Sequence, residues 1–249
     1  MPSAHDAVWF RTLRQAPKPR VRLVCFPHAG GAASFFSSWA ALAPDDVELL
    51  AVRYPGREDR MFDEPAQSME ELAGPLTEAC AALPADARLA LFGHSMGAEV
   101  AYEVTRRLAV APGLSPSALF LSGRAGPGRV ESRGLGNAPD SELISELVDM
   151  GGTDAAVFAD PELRELVLPA LRADLRLLDK HVAGPHPERL DVPVRAYYGL
   201  DDPVVTSDAV SAWSSITRAH FSTRPFPGGH FYLNAQAAPL LMDVVERLG

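Results

Sequence analysis

Arg88-Leu89-Ala90-Leu91-Phe92-Gly93-His94-Ser95-Met96-Gly97 is the stretch of sequence that decides the fold. Its first five residues are mostly apolar and predict a buried strand, and the residues from Ala98 to Ala109 predict a helix. Between them, the glycines of the pattern Gly-x-Ser-x-Gly allow a turn that is too tight for a Cβ atom. Strand, turn and helix together predict a nucleophile elbow, which holds the Ser95 hydroxyl at the carboxyl end of a sheet and at the N-terminus of a helix.

A histidine near the C-terminus is the predicted partner of this serine. A serine hydroxyl is a poor nucleophile at neutral pH unless a base lies within hydrogen-bond reach. In this architecture the base follows the last strand, and Gly228-Gly229-His230 directly follows a predicted strand that ends at Phe226. We therefore predict His230 as the base, whereas His28 and His94 are expected to pack or to orient loops beside the site.

The acid that orients the histidine is expected in a short acidic turn. The chain order serine, acid, histidine places it between the other two residues, at the end of a strand. Gly199-Leu200-Asp201-Asp202-Pro203 follows the predicted strand Val194–Tyr198. Position alone leaves both Asp201 and Asp202 as candidates, and the one that is not used is expected to be a solvated turn residue.

Two backbone amides are predicted to stabilise the oxyanion of the reaction. The first is the Met96 amide, which immediately follows the nucleophile. The second is expected from the loop after the first predicted strand, Phe26-Pro27-His28-Ala29-Gly30-Gly31, which resembles oxyanion loops of the His-Gly-Gly-Gly type. Ala29 is the predicted donor of that loop. Loss of one such donor typically raises the barrier by about 3–4 kcal/mol.

The composition is that of one soluble α/β domain. The 249 residues are 47% hydrophobic and 22% charged, and the formal net charge of −9 disfavours non-specific binding of nucleic acid. Cys25 and Cys80 are predicted core residues, because their spacing fits neither a metal site nor a disulfide framework. Met1 to Pro19 lacks the apolar core of a signal peptide, and no apolar run has membrane-spanning length. We therefore expect a cytoplasmic protein with no membrane partner.

Short apolar segments alternate with helical ones, which is the pattern of a parallel sheet with crossover helices. The predicted strands are Val21–Phe26, Val47–Val52, Leu89–Phe92, Ala118–Ser122, Val194–Tyr198 and His220–Phe226. The predicted helices in the same alternation are Phe35–Leu42, Met69–Leu83, Met96–Ala109, Asp208–Ile216 and Ala237–Arg247. The sequence thus predicts an α/β-hydrolase fold, with a mostly parallel central sheet flanked by helices, as a single domain over residues 1–249.

The alternation is interrupted between Ala125 and His186, where no convincing strand occurs. One helix is predicted with Asp140 as its cap, and a second begins at Asp160-Pro161, residue types that favour the first positions of a helix. Gly184-Pro185 is predicted to close the interval. The second helix has one predicted apolar face, formed by Leu163, Leu166, Val167, Leu171, Leu175 and Leu178. We interpret residues 125–186 as a helical lid insertion, the alternative being extra scaffold without a gating role.

With these residues assigned, the chain resembles the type II thioesterases, the editing enzymes that serve polyketide synthases and non-ribosomal peptide synthetases. The resemblance spans positions 26 to 231, and the segments at 26–31 and 54–57 are more selective than the Gly-x-Ser-x-Gly pattern. The stretches that carry it are Phe26-Pro27-His28-Ala29-Gly30-Gly31, Tyr54-Pro55-Gly56-Arg57, Gly93-His94-Ser95-Met96-Gly97, Ser122-Gly123-Arg124, Leu168-Pro169-Ala170-Leu171-Arg172-Ala173-Asp174 and Gly228-Gly229-His230-Phe231.

The resemblance implies a substrate and a set of roles. The substrate would be an acyl chain carried as a thioester on the phosphopantetheine arm of an acyl carrier or peptidyl carrier domain. Ser95 would attack the thioester, His230 would take its proton, and water would then cleave the acyl-serine ester. Similarity to related hydrolases favours Asp202 over Asp201 as the acid. No metal and no cofactor of the protein's own is implied.

Two features bear on how a carrier would dock. The negative net charge does not favour an acidic carrier, so docking would require a local basic or apolar patch. Arginines in and near the predicted lid are candidates for such a patch, although a solvated protein face explains them equally well; they are Arg129, Arg133, Arg164, Arg172 and Arg176.

Three other interpretations remain. A carboxylesterase or lipase acting on free small esters would use the same triad, although neither a secretion signal nor an anchoring segment is seen. A chain-terminating thioesterase or cyclase is generally fused to its synthase, whereas this chain begins at Met1 and ends soon after its last predicted helix. A non-catalytic binding module on a hydrolase scaffold would have no need of Ser95, His230 and an acid.

Overall fold

A seven-stranded sheet with the strand order β1-β3-β2-β4-β5-β6-β7 lies at the centre of the protein. The structure is a computed structural model that describes residues 6–111, 113–130, 132–151, 158–181 and 189–249. β1 pairs antiparallel with β3, and every other neighbouring pair is parallel. The strands are β1 (Phe10–Arg14), β2 (Val21–Phe26), β3 (Val47–Val52), β4 (Arg88–His94), β5 (Ala118–Ser122), β6 (Val194–Gly199) and β7 (Phe221–Phe226).

The helices of the described residues alternate with the strands as predicted. The α-helices are α1 (Asp6–Trp9), α2 (Met69–Ala81), α3 (Met96–Ala109), α4 (Asp140–Met150), α5 (Pro161–Lys180), α6 (Ser207–Ser211), α7 (Tyr232–Ala235) and α8 (Ala237–Glu246). Four 3-10 helices add Ala33–Ala41, Glu58–Arg60, Leu135–Asn137 and Ala212–Ile216. The predicted mostly parallel sheet flanked by helices is confirmed. None of these helices combines the length and the apolar character that a membrane span requires.

Two apolar layers cover the two faces of the sheet. In β2, Val24 and Phe26 belong to one layer, whereas Leu23 and Cys25 belong to the other. This alternation follows from the pleat of a strand, whose successive side chains point to opposite faces. Helices α2 and α3 contribute to the first layer, and the segment Ala33–Ala41 together with α8 contributes to the second. Cys25 and Cys80 are free and buried, so the predicted core placement of both cysteines is confirmed.

Several elements differ from the sequence prediction. The predicted helix Asp208–Ile216 is the α-helix α6 followed by the 3-10 helix Ala212–Ile216, and the short helices α1 and α7 were not predicted. Strand β1 was not predicted, because three of its five residues are polar and only Phe10 is fully buried. It lies at the edge of the sheet, where a polar face can meet solvent. The predicted helix Phe35–Leu42 is instead the 3-10 helix Ala33–Ala41, whose buried residues Phe36 and Trp39 are three positions apart. That spacing matches the three residues per turn of a 3-10 helix.

Between β5 and β6 the described residues form helices and no strand. Asp160 caps α5 as predicted, since its side chain accepts hydrogen bonds from the Glu162 and Leu163 amides. Asp140 does not cap α4: it is the first helical residue, its side chain pairs with Arg172, and Pro139 occupies the cap position. Residues 152–157 and 182–188, which include the predicted closure at Gly184-Pro185 and the predicted end at His186, lie outside the described residues.

Candidate active site

Ser95 lies on the turn between β4 and α3, in a backbone conformation that residues with a side chain rarely adopt (φ 54°, ψ −118°). Its amide donates a hydrogen bond of 2.8 Å to the Ser122 carbonyl at the end of β5. A Cβ atom at Gly93 would lie 2.0 Å from the Gly97 carbonyl oxygen, and one at Gly97 would lie 2.0 Å from the Phe26 carbonyl oxygen. The tight turn therefore requires both glycines, as the sequence predicts.

His230 follows β7 and shares a hydrogen bond with a buried carboxylate. Its Nδ1 atom lies 2.8 Å from Asp202 Oδ2, and the Asp202 side chain is fully buried. A carboxylate can only accept, so Nδ1 carries the proton and Nε2 is left as an acceptor. His230 and Ser95 line the same cavity, and the described hydrogen bonds include none between their side chains. Such bonds are often long without substrate and shorten when it binds.

The turn after β6 distinguishes its two aspartates clearly. Asp202 Oδ1 accepts hydrogen bonds from the amides of Val204 (2.8 Å) and Val205 (3.1 Å), so its second oxygen is held toward His230. Asp201 is exposed, and its amide donates to the Gly228 carbonyl. The geometry thus brings Asp202, and not Asp201, to the histidine.

The loop after β2 places a free amide in the same cavity. Within the described part of the chain, the Ala29 amide donates to no protein group, and Ala29 lines the cavity together with Ser95. The Met96 amide is the first of α3, where amides have no intrahelical acceptor. Of the two predicted oxyanion donors, Met96 therefore directly follows Ser95 in the chain, and Ala29 lines the same cavity as Ser95.

Two further histidines pack behind the triad in neutral form. Burial, followed by the charges of His230 and Arg57, lowers the pKa of His28 to about 3. Burial is also the largest cause that lowers the pKa of His94. The His94 ring lies 5.1 Å from that of His230, and its Nδ1 atom joins a chain of hydrogen bonds through Ser122 Oγ. Their predicted role in packing and loop orientation agrees with these contacts.

The chain of hydrogen bonds behind His94 ends on α7. Ser122 Oγ lies 2.9 Å from His94 Nδ1 and 2.7 Å from the hydroxyl of Tyr232. Tyr232 is the second residue after His230. These hydrogen bonds therefore connect the end of β5 to the loop that carries His230. The sequence contains no signal for it, because the three residues are far apart in the chain and no local pattern relates them.

A buried ion pair between Arg57 and Asp174 joins α5 to the segment 54–57 and also contacts the loop that carries Ala29. Arg57 Nη1 and Nη2 donate to Asp174 Oδ2 (2.6 Å) and Oδ1 (2.9 Å), and the Gly30 amide donates to Asp174 Oδ2 (2.8 Å). Arg57 also donates to the Gly31 carbonyl at 3.2 Å. Sequence reasoning quoted both charged residues but assigned neither a role. The sequence signal that could have identified Asp174 is its position as a charged residue on a face of α5 whose other residues are apolar and buried.

A cavity of about 940 Å³ opens beside the triad. This volume is at the upper end of the range for small-molecule sites. One wall is a stripe of α5 formed by Val167, Leu171, Leu175 and Leu178. Other lining residues come from positions 123–130 and 132–133, from α4 and from the residues around Val204 and Val205. Ser95 thus opens into a cavity that this stripe of α5 lines.

Two parts of the predicted lid surface are corrected by the structure. Leu163 and Leu166, predicted on the apolar face of α5, are 44% and 51% exposed. At about 100° per residue, Leu166 points well away from the cavity stripe, and Leu163 lies in the first turn. Arg172, one of the candidate docking arginines, is engaged within the lid, since it donates to the Gly136 and Ala138 carbonyls and pairs with Asp140.

The other candidate docking arginines have mixed surroundings. Arg133 pairs with Glu146, and Arg176 donates to the Asn137 side chain at 2.9 Å. Arg129 lines the cavity, and Arg164 lies in a shallow surface hollow formed by α4 and α5. Three of the five candidate guanidinium groups, those of Arg133, Arg172 and Arg176, thus have side-chain partners among the described residues.

A mostly parallel sheet, a serine on the β4–α3 turn and a histidine–aspartate pair after the last two strands define the class of α/β-hydrolases. Residues 21–248 match the family described as Thioesterase domain. The chain belongs to that family.

Several of the similar proteins are named as thioesterases. Thioesterase PikA5 of Streptomyces venezuelae is 39% identical over 243 residues, which cover 98% of this chain and 86% of that protein. Among solved structures, the type II thioesterase BorB from the borrelidin biosynthetic cluster is 40% identical with a TM-score of 0.88, covering 97% of this chain and 98% of that one. YbtT, a type II thioesterase from the yersiniabactin NRPS/PKS pathway, is 33% identical with a TM-score of 0.87, covering 96% and 98%.

Proposed function

We propose that this protein is a type II thioesterase that hydrolyses acyl groups from the phosphopantetheine arm of acyl carrier or peptidyl carrier domains. The observation that carries the proposal is the His230–Asp202 pair, with His230 and Ser95 lining one cavity of about 940 Å³, in a chain that is similar over nearly its whole length to type II thioesterases. The proposal requires no metal and no cofactor of the protein's own.

In the first step, Ser95 Oγ attacks the thioester carbonyl while His230 Nε2 takes its proton. Asp202 holds the imidazole in the tautomer that accepts at Nε2, and it stabilises the imidazolium that forms. The oxyanion is held by the amides of Ala29 and Met96. The C–S bond then breaks and the pantetheine thiol leaves with the proton from His230.

In the second step, water takes the place of the thiol. His230 accepts a proton from water as its oxygen attacks the acyl-Ser95 ester, and the proton passes to Ser95 Oγ as the acid is released. A thiol has a pKa near 8.5 and leaves more readily than an alkoxide, so the first step requires less acid assistance than amide hydrolysis. The cavity beside Ser95 and His230 combines an aliphatic stripe on α5 with polar and charged side chains such as Glu99, Arg129 and Asp179.

The shape of the cavity supports a role in editing. The stripe on α5 presents only aliphatic side chains, which distinguish acyl chains by size and only weakly by chemistry. We propose that residues 125–186 form a lid over this cavity within one domain. We expect the protein to act in the cytoplasm, where the free buried thiols Cys25 and Cys80 would remain reduced.

The decisive experiment compares one acyl group on three leaving groups: a holo-carrier, CoA and p-nitrophenol. Carrier and CoA thioesters both release a pantetheine thiol, so their chemistry is matched and only the docking of the carrier differs. We expect kcat/KM to be highest for the carrier, and Ser95→Ala to abolish turnover of all three. Ser215→Ala, at an exposed serine of the 3-10 helix Ala212–Ile216, is the matched control.

Two results would contradict the proposal. Equal kcat/KM for acyl-CoA and for every carrier tried would indicate a general thioesterase, and a preference for the nitrophenyl ester over both thioesters would favour a carboxylesterase. A serine-directed phosphonate should add one adduct, at Ser95. Adduct formation at another serine, with activity retained in Ser95→Ala, would show that the nucleophile is wrongly assigned.

A further inference from the structure

Asp174 is a buried carboxylate on the cavity side of α5 that is not part of the triad. Its side chain is 4% exposed, and that of its partner Arg57 is 9% exposed. Both oxygens accept from Arg57, and Oδ2 also accepts from the Gly30 amide at 2.8 Å. A buried carboxylate is costly unless it is paired and hydrogen-bonded. Here the third bond goes to the backbone of the loop that carries the Ala29 amide.

The hydrogen bonds of this loop hold both peptide units that meet at Ala29. The unit that contains the Ala29 amide also contains the His28 carbonyl, which accepts from the Gly31 amide at 2.9 Å. The next unit contains the Gly30 amide, which Asp174 holds. Because each peptide unit is planar, fixing one end of it fixes the direction of its other end. The turn within the loop therefore fixes the Ala29 amide directly, whereas Asp174 fixes the Ala29 carbonyl and acts on the amide through the φ and ψ angles of Ala29 that join the two units.

Packing reinforces this dependence on α5. A Cβ atom at Gly30 would lie 3.1 Å from Leu171 Cδ1, so the loop backbone rests directly on the helix, one turn before Asp174. Gly30 has a φ of 72°, in the left-handed region that favours glycine. The other side of the loop is held by the segment 54–57, since Tyr54 donates to the Pro27 carbonyl and Arg57 to the Gly31 carbonyl.

We propose that Asp174 is a positioning residue that completes the oxyanion hole: by holding the Gly30 amide it directs the Ala29 amide toward the oxyanion, so that the hole is complete only when α5 is seated on the loop. This rests on the proposed function, in which Ala29 is an oxyanion donor. It connects the position of the lid to the chemistry, because the same helix forms the wall of the acyl cavity and fixes the donor. A separated helix would leave the triad intact and the hole incomplete.

The test measures oxyanion stabilisation separately from substrate binding. Asp174→Ala is compared with wild type for kcat, for KM and for the inhibition constant of a trifluoromethyl ketone analogue of the acyl chain. That ketone forms a tetrahedral adduct with Ser95 whose oxyanion occupies the hole. Asp140→Asn is the matched control, because it also removes a carboxylate partner of an arginine within the lid but does not contact the loop. Titration of Ser95 with a fluorophosphonate gives the concentration of active sites for each variant.

We expect Asp174→Ala to lower kcat about 10-fold to 100-fold, somewhat less than the outright loss of a donor. KM should change little, the inhibition constant should rise by about the same factor as kcat falls, and Asp140→Asn should match wild type. If Asp174→Ala gives no protein whose Ser95 reacts with the fluorophosphonate, the double variant Arg57→Met/Asp174→Leu is measured in its place. The double variant removes both charges of the ion pair, so no uncompensated charge remains in the interior. We expect it to show the same loss of kcat.

Unchanged kcat and inhibition constant in a titratable Asp174 variant would overturn the inference, and so would a rise in KM alone. Either result would leave the proposed function standing, because wild type would still form the Ser95 adduct and turn over carrier thioesters. Absence of the adduct in wild type would instead contradict the proposed function itself.

Discussion

Two adjacent aspartates after β6 differ in their surroundings, and this difference predicts different kinetic effects. Asp202→Asn should lower kcat by up to about ten-thousand-fold, because an amide does not hold the imidazole in the tautomer that accepts from Ser95. Asp201→Asn should leave kcat close to wild type, since this side chain is exposed. Release of free thiol from an acyl thioester measures both variants. Equal losses would show that the exposed aspartate also acts on the histidine.

The neutral histidine behind the triad makes stability sensitive to acid. The folded pKa of His28 is about 3, whereas an unfolded histidine has a pKa near 6.5. Between these values the unfolded chain binds one more proton, so the free energy of unfolding falls as the pH falls below about 6.5. At pH 5 this histidine alone should cost about 2 kcal/mol relative to neutral pH.

Urea unfolding at pH 7.5 and at pH 5 tests this expectation. His28→Gln should lose about 2 kcal/mol less than wild type between the two pH values, because glutamine does not titrate. The control is Ser215→Ala, at an exposed side chain that carries no titratable group, which should keep the wild-type pH dependence. If wild type and His28→Gln show parallel pH dependence, His28 is not held neutral in the folded protein.

At the scale of elements, α5 has two kinds of leucine on different faces. Leu175 faces the cavity, whereas Leu166 is 51% exposed. Leu175→Trp should shorten the cavity and lower kcat/KM for long acyl thioesters about tenfold or more, while acetyl thioesters are processed as before. Leu166→Trp on the same helix is the control and should not alter the chain-length profile. An unchanged profile in Leu175→Trp would show that acyl chains do not extend along α5.

Elements whose signal is local were predicted well from the sequence. The nucleophile turn depends on Gly93 and Gly97, which act within five residues of each other, and the predicted bounds of β2, β3, β5 and α3 are the observed ones. Asp160 and Pro161 likewise fix the start of α5 through bonds made within three residues. The edge strand β1 was missed because its pairing with β3 compensates for a weak pattern of its own.

At the scale of the whole molecule, contacts between distant segments were the part that the sequence did not predict. Arg57 and Asp174 are separated by 117 residues, and only the folded sheet brings them to one loop. Leu166 was assigned to the apolar face because it is a leucine in a helix, yet which arc of α5 is buried depends on how that helix packs. Chain order limits the acid that orients the histidine to Asp201 or Asp202. The choice between these two residues requires either similarity to related hydrolases or the geometry of the folded turn.

The left-handed backbone of Ser95 has a thermodynamic consequence for the whole chain. A residue with a side chain in such a conformation typically costs about 1–3 kcal/mol, and glycine relieves most of that cost. Ser95→Gly should therefore unfold at a higher temperature than Ser95→Ala, although both are inactive, and calorimetry measures the difference. A lower melting temperature for the glycine variant would refute this. The backbone conformation of Ser95 is thus expected to lower the free energy of unfolding. Selection for stability alone would replace this serine by glycine.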